Sequence, residues 1–390
     1  MKPEYRKLRG FAAAFVLLAL FIATMHVVAE HIDLKVDDES FGIWYDHSKD
    51  MSYCGISENI GDDTILLMGS SEFRHGRKTK YHPVNALSNA DFDIMEIGGP
   101  FNQCLFHTVA VGAFEPGLKS RKAILLVSPT WFKSHAVLPE DYKLRFSETE
   151  YIHFLENPKI TDETKGFVAS RTEELLAGDK GLEFKVSLAN RALLGENSEP
   201  VTKALFGIYK LMASDRDRFS TAALLRTGAR EYPVHGKKEP SAERFAKMER
   251  RAAEKCSKRA SNPFGMRDAS WNSDYKDVYE SYKNNHPWAI RGNSPEMEDL
   301  RAFLAVCRET GIEAKLIILP VNGKWFDYMG GNHDRRRRMA DAVMELADEY
   351  GAECADLMQY EYEPYVTRDA SHPWNIGWLK VDKEILEFCE

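Results

Sequence analysis

The stretch Thr64–Gly76, TILLMGSSEFRHG, holds an apolar run that stops at Gly69 and delivers two adjacent hydroxyls, Ser70 and Ser71. Five residues with little alternation read as a strand covered on both faces. Glycine lets the backbone turn tightly where such a strand surfaces. Similar runs recur at Ile94–Ile97, Ala123–Val127 and Lys315–Leu319, with a weaker one at Glu353–Leu357. Helical patterns alternate with them. Ser294-Pro295 reads as a cap and first helical residue, followed by Leu300, Phe303, Leu304 and Cys307 on one face and closed by Gly311. Met339, Val343, Leu346 and Tyr350 repeat the pattern, as do Trp378, Val381, Ile385 and Cys389. Strand–helix alternation of this kind predicts an α/β fold: three layers around a central parallel sheet. The polar, helix-prone stretch 133–290, in which AERFAKMERRAAEKCSKRA (242–260) is the clearest helix, reads as a mainly helical insertion.

The chain has 390 residues, 44% hydrophobic and 29% charged, with a formal charge of −8. That balance suits a folded domain with insertions and argues against nucleic acid as a partner. The basic run Arg335–Arg338 opens a helical pattern and reads as a solvated face. Six cysteines at wide spacing form no CxxC pair, which argues against a zinc site. Buried free thiols and one or two disulfides both remain open.

The N-terminus is of another kind. Residues 1–10 carry Lys2, Arg6, Lys7 and Arg9 against Glu4, and Phe11–Ala29 is nearly all apolar. At ~1.5 Å per residue, such a run nearly spans a ~30 Å hydrocarbon core. It is longer than a signal peptide needs, and Val27-Val28-Ala29 fits a cleavage site poorly. The expectation is a single-pass anchor at 11–29, with a cytoplasmic tail at 1–10 and an extracytoplasmic domain at 30–390.

In parallel α/β sheets, ligands bind beyond the carboxyl ends of strands, where Ser70 and Ser71 fall. Either serine caps a short helix, or one of them is a nucleophile served by a base. The far end of the chain offers that base. In Asp369-Ala-Ser-His372 the acid can bond one ring nitrogen and leave the other free. HExxH, P-loop and GxGxxG patterns are missing, as is the GxSxG elbow, because position 73 is Phe.

A serine on the first strand and DxxH before the last helix resemble the layout of SGNH (GDSL-type) hydrolases and acyltransferases. More narrowly the chain resembles the DltD family, membrane-anchored proteins of D-alanyl-lipoteichoic acid biosynthesis. The stretches that carry the likeness are GSSE (69–72), GGPFNQCLFH (98–107), SPTWF (128–132), NPFG (262–265), PVNGKWFDY (320–328) and DASHPWNIGW (369–378). The resemblance implies Ser71 as nucleophile, with Ser70 in the Asp position of the Gly-Asp-Ser block, His372 as base and Asp369 as acid. It implies an oxyanion hole from the N–H groups of Ser71 and Gly99, with Asn102 or Gln103 adding an amide. Ser70, His75, Trp131, Asn322, Trp325, Tyr328 and Trp374 become candidate pocket residues. His107 reads as a packed or pocket-wall residue.

The activity so implied is a serine acyltransferase in D-alanylation of a teichoic-acid-type polymer, without a cofactor. The partners implied are a DltB-like membrane O-acyltransferase, a small membrane peptide and an upstream D-alanyl carrier protein. Two rivals stand beside it: an O-acetyltransferase or esterase acting on a cell-surface glycan, and a non-catalytic scaffold. With a net charge of −8, an anionic acceptor requires a locally basic groove.

Overall fold

In the computed structural model, which describes residues 3–195, 199–234, 239–285 and 289–390, the chain opens with one long helix, α1 (Pro3–Glu30). Met1 and Lys2, from the basic N-terminal decade, lie outside the described residues, as do 196–198, 235–238 and 286–288 of the expected insertion. Within α1, Arg9–Glu30 is long and apolar enough to cross a membrane, and residues 11–21 are exposed throughout.

Each apolar run of the sequence forms a strand: β1 (Thr64–Met68), β2 (Asp93–Ile97), β3 (Lys122–Val127), β4 (Glu313–Ile318) and β5 (Glu353–Asp356). They make one sheet in the order β2-β1-β3-β4-β5, with every pairing parallel. Met68 stands opposite Ile97 and Leu125, and Val127 opposite Ile318, so the carboxyl ends open along one edge. Successive side chains point to opposite faces, and both faces are covered. Leu66, Met68, Leu125 and Leu316 pack on one side, with α2 (Cys104–Phe114). Ile65, Leu67, Ile124 and Ile317 pack on the other.

Between β3 and β4 the described residues contain helices and no strand. Among them are α3 (Lys180–Leu193), α4 (Pro200–Thr227), the longest at 28 residues, and α5 (Ala242–Ser257). α6 (Glu296–Thr310) begins one residue later than the Ser-Pro pattern predicts. Pro295 holds the cap position, and the Ser294 hydroxyl accepts from the Glu296 N–H at 3.3 Å. It ends as expected, with Gly311 left-handed at φ 72°.

The basic run opens α7 (His333–Tyr350) and is not a purely solvated face. Arg336 is buried, donating to Glu361 at 2.8 Å and Asp327 at 2.9 Å, and Arg337 donates to Asp356 at 2.8 Å. The carboxylates that claim these side chains come from segments distant in sequence, and a local charge pattern cannot show them. The last helix, α8 (Asn375–Cys389), covers the β1 and β3 face together with α5. All six cysteines are free thiols, four of them buried.

Candidate active site

Gly69 ends β1 in close quarters: a Cβ there would lie 2.5 Å from Glu72 Oε1 and 2.8 Å from the Phe73 ring. The chain then enters a short 3-10 turn, Ser71–Arg74. Gly98, after β2, backs onto Gly69 so closely that a Cβ would meet the Gly69 carbonyl oxygen at 2.1 Å. The two strand-end loops are thereby locked together. Ser70 is buried, its N–H donating to Glu72 Oε1 at 2.6 Å and its hydroxyl to the Gly99 carbonyl at 3.1 Å. Of the two serines, Ser70 is tied into the loop and Ser71 faces the site.

The third part is a narrow turn ahead of α8. Thr367 and Pro373 form an antiparallel bridge, Arg368 N–H donates to the His372 carbonyl at 3.0 Å, and Trp374 N–H to Val366 at 2.7 Å. The apex is Asp369–His372. Asn322, which caps the helix Gly323–Tyr328, supports this turn from behind. Its N–H donates to the Ala370 carbonyl at 2.8 Å and its side-chain amide to Thr367 Oγ1 at 3.2 Å.

These parts bring Ser71 Oγ to 2.9 Å from His372 Nε2, and His372 Nδ1 to 2.9 Å from Asp369 Oδ1. The same Oδ1 accepts the N–H groups of Ser371 at 3.1 Å and His372 at 2.9 Å. Burial opposes ionisation of Asp369, but His372 and these N–H donors outweigh it and hold the carboxyl at about 2. Burial likewise opposes a charged His372, and the Asp369 carboxylate outweighs that, raising its pKa above the ordinary 6.5. The arrangement can take a proton from Ser71 and stabilise the imidazolium that results.

His75 packs its ring 4.3 Å from that of His372. Burial, reinforced by His372, drives its pKa down to about 3, so it is a neutral wall. Ligating atoms of His75, Asp369 and His372 lie within 4.8 Å of one another, a spacing that would admit a metal ion. The nitrogen and oxygen atoms that face each other in the last two already share a hydrogen bond. His107 is fully buried, and burial keeps it neutral, at about 3.

Among the described residues, no hydrogen bond from the Ser71 or Gly99 N–H is present. Asn102 is buried with its Oδ1 unpaired, and Gln103 Oε1 is also buried and unpaired. Arg145, which the sequence did not single out, donates from Nε to the Pro100 carbonyl at 2.8 Å and lays its guanidinium beside Gly99. Lys49 and Asp50 lie buried beneath, paired at 3.2 Å, with Asp50 Oδ2 accepting from the Gly98 N–H at 3.2 Å.

The candidate pocket residues divide. Ser70, His75 and Trp374 border the site. Trp131 and Trp325 are core: Trp325 is 1% exposed, enclosed by Phe264, Tyr275, Tyr282 and Tyr328. Neither indole has a face to offer a polymer. Tyr328 belongs to the same aromatic cluster, and Asn322 acts as the cap and brace just described.

Beside the Asp369–His372 turn lies a cavity of about 490 Å³ that Pro373 and Trp374 help to line. Six basic side chains border it, Arg74, Arg77, Lys78, Arg259, Arg267 and Arg368, against one acid, Glu231. Arg77 is committed to Glu96 and to Glu231, the latter at 2.6 Å. Arg74, Arg259 and Arg267 have no carboxylate within 4 Å among the described residues. A chain that is acidic overall therefore concentrates positive charge next to its candidate base.

The sequence profile of the family described as DltD protein matches residues 45–390. The chain belongs to the DltD family. It is 26% identical over 342 residues to Protein DltD of Bacillus subtilis (strain 168), covering 84% of this chain and 83% of that protein. It is 25% identical over 329 residues to Protein DltD of Staphylococcus aureus (strain NCTC 8325 / PS 47), covering 82% and 79%. Protein DltD of Lacticaseibacillus rhamnosus is 22% identical over 338 residues, covering 86% and 79%. The stretch matched to the DltD family runs from before β1 through α8 and contains Ser71, Asp369 and His372, whereas α1 precedes it.

Proposed function

We propose that the protein is a membrane-anchored serine acyltransferase in the D-alanylation of a teichoic-acid-type polymer. The observation that carries the reading is the continuous Ser71–His372–Asp369 hydrogen-bond chain beside a basic cavity, in a member of the DltD family. Ser71 Oγ attacks the carbonyl of an activated D-alanyl donor as His372 Nε2 takes its proton. The N–H groups of Ser71 and Gly99 receive the oxyanion, at about 3 kcal/mol per donor. The leaving group departs with the proton from His372, and the acyl group is held as an ester on Ser71. A polymer hydroxyl then gives its proton to His372 as it attacks the ester, and Ser71 Oγ leaves with that proton returned from His372.

The basic cavity answers the objection raised by the net charge of −8, since Arg74, Arg259 and Arg267 can neutralise phosphates next to the reacting hydroxyl. Each D-alanyl ester adds an ammonium that offsets one phosphate charge. The basic residues ahead of the apolar run Phe11–Ala29 support a cytoplasmic N-terminus and a catalytic domain outside. A DltB-like membrane O-acyltransferase, a small membrane peptide and a D-alanyl carrier protein then lie upstream.

The test is base-labile D-alanine on the envelope of a deletion strain restored with wild type, Ser70→Ala or Ser71→Ala at matched protein levels. Restoration by wild type and Ser70→Ala but not Ser71→Ala is expected. Full restoration by Ser71→Ala would make the chain a scaffold. Unchanged D-alanine on deletion would move the acyl chemistry to another surface glycan.

A further inference from the structure

We infer that α4 is a second membrane contact, an amphipathic helix whose apolar stripe enters the outer leaflet beside α1. The inference rests on the reading of α1 as a membrane span. Val201, Leu205, Ile208 and Met212 are each between 49% and 66% exposed. They are spaced i, i+4, i+7 and i+11, so they form one stripe along one face of a single helix. Along the same stretch, Thr202, Phe206 and Ala213 are buried on a neighbouring face, about a third of a turn from the stripe. Four large apolar side chains in a row are more than the scattered exposure a water-facing surface tolerates.

The position of α1 says what covers them. Its apolar window is 22 residues, Arg9–Glu30, or about 33 Å of helix against a core of about 30 Å. The outer boundary therefore falls near Glu30. Yet Ile22, Met25 and His26 are half-buried and Ala29 is buried, on one face of α1 that packs against α4. His26 Nδ1 lies 2.9 Å from Asp215 Oδ1, and Arg218 donates to the Ile32 carbonyl at 3.0 Å.

Protein that touches α1 from residue 22 to residue 29 reaches about 12 Å below Glu30. The contacts advance in the same direction along both helices, so α4 descends towards the membrane from Arg218 to Asp215 and on to Met212, Ile208, Leu205 and Val201. The stripe begins where the packing against α1 ends. Lys203 and Lys210 lie on the face opposite the stripe, and Lys210 is ion-paired there with Glu156 at 2.7 Å, so that side of α4 is polar and turned to the protein. An apolar stripe along one face of a helix, with a polar face opposite, is the pattern of a helix that meets lipid. This second contact would hold the domain at a fixed tilt, where a single helix alone would let it swivel.

The test uses the full chain in vesicles of phosphatidylglycerol and phosphatidylcholine, with Cys354→Ala and Cys389→Ala removing the two half-buried thiols. An environment-sensitive fluorophore is placed singly through Leu205→Cys, Ile208→Cys, Leu17→Cys in α1, and Glu243→Cys on the exposed start of α5. The expected result is blue-shifted emission, quenched by brominated acyl chains, at 205, 208 and 17 but not at 243. Quenching at 17 alone would overturn the inference and leave the anchor standing. Shielding of 205 and 208 from iodide without quenching by bromolipid would mean that protein covers the stripe, and would also overturn it. No quenching at 17 would remove the anchor and the inference with it.

Discussion

Asp369→Asn tests how His372 is held. In serine hydrolases built on a triad, this exchange can cost about 10⁴ in rate, because the amide turns its NH₂ to the ring and enforces the wrong tautomer. Here one oxygen, Oδ1, accepts from the His372 ring, the His372 N–H and the Ser371 N–H together. An asparagine that flipped would point its NH₂ at two backbone donors, so its carbonyl oxygen stays in place and the ring keeps its tautomer. The new NH₂ then falls where Oδ2 was, facing Arg368 Nε at 3.6 Å, a milder conflict. What is lost is charge. Asp369 is held at about 2 against an ordinary 3.8, a net stabilisation of its charge on the order of 2 kcal/mol.

Part of that stabilisation belongs to the backbone donors, which asparagine keeps, and burial offsets part of it, so the expected loss of nucleophile activation is on the order of 10- to 100-fold. The assay is the second-order rate at which a fluorophosphonate labels Ser71, followed by intact mass, which needs no knowledge of the donor. Because labelling needs neutral His372, the wild-type rate rises with pH through a pKa above 6.5, and Asp369→Asn moves that midpoint down. His75, neutral down to about 3, adds no second limb. A loss near 10⁴, or an unmoved midpoint, would refute the argument from the shared oxygen.

Gly98→Ala places a methyl 2.1 Å from the Gly69 carbonyl oxygen. It should destabilise the domain by about 3 kcal/mol and slow Ser71 labelling, seen as a lower urea midpoint; a wild-type midpoint would show the two loops free to part. Arg259→Gln with Arg267→Gln should weaken binding of a poly(glycerol phosphate) and lower the slope of log K against log salt by about one for each phosphate the arginines no longer neutralise. Binding that is weaker with an unchanged slope would place the polymer elsewhere. Asn322→Ala removes a helix cap and the brace behind the acid–base turn, so stability should fall by about 1 kcal/mol together with the labelling rate. A fall in stability alone would make it a cap and nothing more.

What the sequence disclosed, and what it hid, follows from how far each feature reaches along the chain. β1 to β5 were legible because burial on both faces leaves a contiguous apolar run, and Gly311 marked the end of α6 because a left-handed residue is nearly always visible. Ser71, Asp369 and His372 were legible as short motifs at strand and helix ends. Their union across 301 positions is a property of the parallel sheet, which returns each strand to the same edge.

The misreadings have the same cause. Trp325 and Trp131 stood among the candidate pocket residues because an aromatic residue on paper has no inside, and Arg336 looked solvated because its carboxylates, Asp327 and Glu361, lie 9 and 25 positions away. The basic cavity is the extreme case. Its basic side chains come from three segments far apart in the sequence, the turn after β1 with its basic RHGRKTK (74–80), the loop beyond α5, and the acid–base turn, which only the fold brings together. Net charge averages over the whole surface, whereas an acceptor meets only the few side chains within a Debye length, about 8–10 Å, of the reacting atom. A formal charge of −8 therefore bears on what the protein avoids at a distance, and the arginines beside His372 bear on what it can hold there.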